Sequence, residues 1–89
     1  MGHRIELGEI EAAASAIDDI GQCCAMYNRT TQEIILVYDG KADRETVIMN
    51  LRGSVPRYMI PQVLHQLDAM PHNLNGKIDR ALLSKQFIQ

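Results

Sequence analysis

The stretch with most chemical content is Leu74-Asn75-Gly76-Lys77-Ile78-Asp79-Arg80. It presents a lysine on an Asn-Gly turn, just ahead of an aspartate suited to cap a helix. Gly76-Lys77 invites comparison with a phosphate-binding loop, but that motif needs a glycine five residues earlier and Ser or Thr after the lysine. Position 71 is proline and position 78 isoleucine, so the comparison fails. Taken alone, Lys77 reads either as an ordinary surface lysine on a common Asn-Gly turn or as a compact point charge offered to an anion.

The other reactive residue types are bland. His3, His65 and His72 fall into no ligand grouping with another His, Cys or carboxylate, so no metal site is expected. His65 lies on an alternating stretch and reads as an ordinary strand residue. Cys23 and Cys24 are adjacent in a strand-like run and must face opposite sides. Neither a bridge nor a metal pair suits them, and they read as reduced thiols in apolar packing. No local pattern supports a Cys-His nucleophile pair.

The elements that must position Lys77 can be read from periodicity. Leu7, Ile10, Ala13, Ala14 and Ile17 recur at helical spacing, with Glu9 and Glu11 near the start, where the helix dipole favours negative charge. Asp18-Asp19 and Gly21 are expected to end that helix. Residues 22–27 and 33–38 are rich in strand formers and flank polar turn material, which predicts a hairpin. Asp43 is a candidate N-cap for a second helix whose apolar face carries Val47, Ile48, Leu51 and Val55, with Pro56 as its stop. A proline-bracketed connector, Val55-Pro56-Arg57-Tyr58-Met59-Ile60-Pro61, leads to a third strand at 62–67. A loop from Asp68 to Ile78 follows, and Asp79 caps a short last helix through Ala81, Leu82 and Leu83. The order α-β-β-α-β-α predicts an α+β fold: a small three-stranded, mostly antiparallel sheet packed with helices. The expected core is Leu7, Ile10, Ile17, Ile35, Val37, Val47, Leu51, Val63 and Leu67.

Composition narrows the function classes. The chain has 89 residues, 46% hydrophobic and 22% charged, with a mean hydropathy of −0.15. That suits one small folded domain over residues 1–89 and excludes wholesale disorder. A net charge of −2 argues against a nucleic-acid partner, which would need clustered positive charge. The longest clean apolar run, Ile34 to Tyr38, is far short of the ~20 residues a membrane span requires. Glu6, Glu9 and Glu11 stand where a signal peptide would be apolar, so a cytoplasmic protein is expected.

Three segments taken together resemble one family. Gly2-His3-Arg4-Ile5-Glu6-Leu7-Gly8-Glu9-Ile10-Glu11, the connector Val55 to Pro61, and Asn75-Gly76-Lys77-Ile78-Asp79-Arg80 are similar, in order and spacing, to segments of the C-terminal subdomain of adenylate-forming enzymes. The match is to the amino-acid adenylation domains of nonribosomal peptide synthetases, and it covers residues 2 to about 84. The resemblance implies a mobile subdomain of an ATP-dependent ligase. In such enzymes a carboxylate attacks the α-phosphate of ATP; the subdomain then turns, and the phosphopantetheine thiol of a carrier protein takes the acyl group.

On this resemblance Lys77 is the adenylation lysine, and Asn75 and Gly76 form the loop that presents it. Gly2, Arg4 and Glu6 belong to the loop lining the thiol's approach. The partners implied are an N-terminal ATP-binding subdomain, absent from these residues, and the carrier protein. ATP and magnesium would be handled by that larger enzyme, with none bound by these residues, which alone would be inactive. The loop departs from the family in having Met70 where Leu is common before the proline, and Asn73 where Thr is common. Asn75, Asp79 and Met59 favour the peptide-synthetase branch, because related acyl-coenzyme A ligases tend to have Ser before the Gly-Lys and often Lys at the place of Met59. The alternatives are the C-terminal subdomain of such an acyl-coenzyme A ligase, or a non-catalytic module that docks carrier proteins.

Overall fold

The computed structural model describes residues 4–88. The elements are α1 (Leu7–Ser15), β1 (Ile20–Asn28), β2 (Glu33–Gly40), α2 (Arg44–Arg52), a 3-10 turn (Arg57–Met59), β3 (Val63–Leu67) and α3 (Arg80–Phe87). The α+β order expected from periodicity is the order observed.

The three strands form one sheet in the order β1-β2-β3. β1 and β2 are the antiparallel hairpin, with Cys24 opposite Val37 and Met26 opposite Ile35. β3 joins β2 in parallel, with Leu36 opposite Leu64. The sheet is therefore mixed, where the sequence suggested mostly antiparallel pairing. The cause is α2, which carries the chain back across the sheet so that β3 starts at the same end as β2.

Alternation along the central strand builds two cores. Ile34, Leu36 and Tyr38 face one side with Cys23 and Ala25, where α1 and α2 supply Ile10, Ala14, Val47 and Leu51. Ile35 and Val37 face the other side with Cys24 and Met26, covered by Met70 and Leu83. Being covered on both faces is why β2 reads as an unbroken apolar run. The two cysteines lie on opposite faces, as their adjacency required. Met59 is buried in the α1/α2 cluster, where it fills core space.

Caps and turns follow the sequence signals closely. Asp43 accepts from the Thr46 amide at 2.8 Å and Asp79 from the Leu82 amide at 3.0 Å. α1 ends earlier than its periodicity suggested, at Ser15. Ile17 leaves the helix through a tight bond to the Ala14 carbonyl yet stays buried. Asp19 then adopts φ 70°, and its carbonyl accepts from the Lys41 and Ala42 amides at 2.7 and 3.1 Å. Gly40, at φ 103°, passes so close to that carbonyl that a Cβ would collide with it.

Candidate functional site

Residues 71–79 form a narrow hairpin with Lys77 on its returning arm. An isolated antiparallel bridge pairs His72 with Ile78. Asn73 donates its amide to the Lys77 carbonyl at 2.8 Å, and Asp79 donates to Pro71 at 2.9 Å. Inside the tip, Asn73 Oδ1 accepts from the amides of Asn75 and Lys77 at 2.9 and 3.1 Å. This is the side-chain-mimics-backbone turn that Asn makes well. Where the resemblance led to an expectation of Thr, Asn73 thus organises the tip itself. Gly76 has φ 78° with open space around it, so glycine is needed there for backbone conformation.

Asn75, Gly76 and Lys77 are exposed at this tip. Among the described residues, the Lys77 ammonium takes part in no ion pair. A shallow cleft beside it is lined by Gln22, Asn73, Lys77, Asp79 and Arg80.

Both ends of the hairpin are tied to the sheet by directed polar bonds. On the incoming side, β1 carries a bulge between Ile20 and Cys23. Asp39, on β2, accepts the Gln22 amide of that bulge at 2.6 Å through Oδ1, and the Met70 amide at 2.9 Å through Oδ2. Gly21 is needed beside it, because a Cβ there would strike the Asp39 carboxylate. The Gln22 side chain meets His72 Nε2 at 2.7 Å.

On the outgoing side, Arg80 follows the capping Asp79. Its Nη1 and Nη2 donate to Glu11 Oε2 and Oε1 at 2.7 and 3.2 Å, a two-pronged pair spanning 69 residues of sequence. Glu11 Oε2 also accepts the Ala25 amide at 2.8 Å, and Arg80 Nη1 reaches Cys24 Sγ at 3.2 Å. The bond to Glu11 pushes the Arg80 guanidinium above its ordinary value. Burial pushes the Cys24 thiol up despite the opposing pull of Arg80, and burial does the same to Cys23 against its bond to Ser15. Both thiols are therefore neutral packing groups at neutral pH, in line with their bland sequence context. His65 stacks on Phe87 with ring centroids 4.2 Å apart, and no cluster of three or more metal-ligating side chains forms among the described residues.

The second expected segment lies elsewhere. Gly2 is outside the described residues. Arg4 and Glu6 form a 2.7 Å ion pair in open solvent, a contact of small energetic weight. Ile5, between them, packs on the α1/α2 cluster, whereas Met70 and Ile78 at the base of the Lys77 hairpin belong to the opposite face. Among the described residues, no hydrogen bond or ion pair joins Arg4 or Glu6 to the hairpin. Sequence reading thus located the lysine tip but missed Gln22, Asp39 and Glu11, which hold it. The only local hint was the pairing of Asp39 with Gly40, read as a strand end.

No family model matches the chain. Among curated proteins it is similar to gramicidin S synthase 2 of Aneurinibacillus migulanus, 37% identical over 87 residues, and to tyrocidine synthase 2 of Brevibacillus parabrevis, 36% identical over 89. The alignments cover 92% and 94% of this chain, while the chain spans only 2% of either relative. Among solved structures, Klebsiella oxytoca NpsA in complex with 3-hydroxyanthranilyl-AMSN superposes with a TM-score of 0.88 at 22% identity, over 99% of this chain and 18% of that one. ATP-bound MatB from Rhodopseudomonas palustris gives 0.85 at 17% identity, over 97% and 18%. No helix of the described residues is long and apolar enough to cross a membrane.

Proposed function

We propose that this chain, which belongs to the adenylate-forming enzymes of the nonribosomal peptide synthetase type, is the mobile C-terminal subdomain of an amino-acid-adenylating enzyme. In the first half-reaction an amino-acid carboxylate oxygen attacks the α-phosphorus of ATP and pyrophosphate leaves. In the second, a carrier-protein phosphopantetheine thiol attacks the acyl carbon, forming a thioester and releasing AMP. The observation that carries the reading is Lys77: an ammonium with no ion pair among the described residues, exposed on a hairpin fixed at both ends.

Lys77 would serve the first half-reaction. Negative charge crowds between the carboxylate and the α-phosphate as the new C–O–P linkage forms. At ~3 Å and an effective dielectric of about 20, one ammonium–oxygen pair is worth roughly 5 kcal/mol before desolvation. Donors of this kind, removed singly, cost ~3–4 kcal/mol, or about 10²–10³ in rate. The Arg4–Glu6 segment lies toward the other core, which suits a subdomain that offers a different surface to each half-reaction. The nucleotide and amino-acid pockets would belong to the large N-terminal subdomain, so ATP should bind this chain alone with a Kd no better than about millimolar, −4 kcal/mol on the standard scale.

The test places this chain in an adenylation domain and compares the two steps. Lys77→Ala is expected to slow pyrophosphate exchange by ~10²–10³ while transfer from pre-made adenylate to the carrier changes little. Lys77→Arg is expected to be slow as well, because a planar fork does not replace a compact ammonium. Equal losses in both steps would mean that Lys77 supports folding or docking. A domain that captures carrier protein but never forms adenylate would favour the docking-module reading.

A further inference from the structure

We infer that Glu11 and Arg80 are a positioning pair that fixes where Lys77 points, an inference that rests on the adenylation role proposed for that lysine. The pair is oddly placed for a purely structural contact. Glu11 lies in the middle of α1, and Arg80 opens α3 three residues after Lys77. Glu11 cannot be serving the α1 dipole, because only Glu9 occupies the first turn. Its carboxylate is used instead on a three-way junction. Oε2 takes the Ala25 amide and Arg80 Nη1, while Oε1 takes Arg80 Nη2.

The geometry makes this junction a reference point. β1 is an edge strand, so an amide such as Ala25's, pointing away from β2, has no ladder partner and is free to hold Glu11. Glu11 is then fixed by both the helix and the sheet, and its side chain is only 20% exposed. Arg80 is more open at 56%, yet three donated bonds, including the one to buried Cys24, set its guanidinium plane. The chain from Lys77 to Arg80 is short, with Ile78 in the bridge to His72 and Asp79 engaged as the helix cap. A rotation or slide of α3 about the Arg80 contact therefore moves the Lys77 arm with it. An error of about 1 Å at a reacting group can cost ~10²-fold in rate.

Arg80→Lys separates positioning from folding. Lysine retains the charge and one bond to Glu11 but loses the fork and the reach to Cys24. In an adenylation domain carrying this chain, we expect Arg80→Lys to lower the kcat of pyrophosphate exchange by ~10–10². The KM for amino acid, and transfer from pre-made adenylate, should hold within about threefold, a split that a folding defect does not produce. Because Arg80 acts through Lys77, the double variant Arg80→Lys/Lys77→Ala should be no slower than Lys77→Ala alone. On the 89-residue chain itself, amide exchange should quicken at Gly76 and Lys77 in Arg80→Lys, while the Leu36 and Val37 amides of β2 hold.

Additive losses in the double variant, or unchanged exchange at Gly76 and Lys77, would overturn the positioning role. If Lys77→Ala alone slowed both half-reactions equally, the role of the lysine would fall first, and the amide-exchange result would still decide whether Glu11 and Arg80 hold the hairpin.

Discussion

The two faces of the sheet are built by different means. The α1/α2 face is held by apolar packing of Ile10, Ala14, Leu36, Tyr38, Val47 and Leu51, and its order depends on volume and shape. The other face has a smaller apolar cluster around Val37, Met70 and Leu83, and relies on directed bonds from Asp39, Gln22 and Arg80. Apolar packing is sensitive to fit but non-directional, so it fixes how closely its members lie rather than which way a polar group points. A two-pronged ion pair or a carboxylate shared by two amides fixes direction as well as distance. The face that carries the Lys77 hairpin is the one that adds directional contacts to its apolar cluster, and the α1/α2 face holds the larger water-excluding core.

Substitutions should separate the two faces. The largest effect is expected from Leu36→Ala, which empties the centre of the α1/α2 cluster. Removal of a buried leucine costs ~2–5 kcal/mol, a large share of the ~4–13 kcal/mol that a domain of this size commands. Urea unfolding should show the midpoint falling with little change in slope. A midpoint close to that of the parent would mean that this face is not the main source of stability.

Asp39→Asn should act on the other face. Asparagine retains one acceptor oxygen and puts an NH₂ where the carboxylate took a second amide, so the Gln22 or Met70 amide loses its partner. We expect ~1–3 kcal/mol, seen as faster amide exchange at Met70 and across the Lys77 hairpin. Amides of α1 and α2 should hold. If they quickened equally, the two faces would be one cooperative unit, and the contrast drawn between them would fail.

The smallest effect concerns acid. Asp43 caps α2, and its bond to the Thr46 amide holds its carboxyl below the ordinary carboxylate value. A carboxylate favoured by the fold contributes stability above its ordinary value, and that contribution is lost as pH falls through its lowered folded value. Asp43→Asn retains a capping oxygen without the titration. Its melting temperature should therefore fall less than the parent's between pH 6 and the acid end of the carboxylate range, about pH 2–3. An identical acid slope in both proteins would remove Asp43 as a contributor.

Much of this architecture was legible because the signals are local. A cap acts within three residues, as Asp43 and Asp79 do, and a Gly turn acts within four, as at Gly76. The expected core was mostly right because alternation and helical period report faces directly, and Ile10, Ile35, Val37, Val47 and Leu51 are all buried. Leu7, Val63 and Leu67 are only partly buried, since they sit at the margins of the two clusters. The parallel pairing of β3 and the burial of Met59 and Met70 were not legible, because both depend on how the α2 crossover lands on the sheet. The supports of Lys77 were the hardest to read. Glu11 and Arg80 are 69 residues apart, and Asp39 and Met70 are 31 apart. Nothing in the type of either partner announces the other at such separations. The lysine could be found from its neighbours in sequence, but its supports only from its neighbours in space.

The bulge at Gly21-Gln22 has a consequence for timescale. Exposed loops ordinarily search conformations in nanoseconds to microseconds, whereas whole domains reorient in microseconds to milliseconds. With Gln22 and Asp39 gripping one arm of the hairpin and Arg80 the other, the Lys77 backbone is expected to have little of that faster search left to it. Under the adenylation role proposed for it, the lysine would arrive only with the whole domain, on the slow clock of a domain rather than the fast clock of a loop.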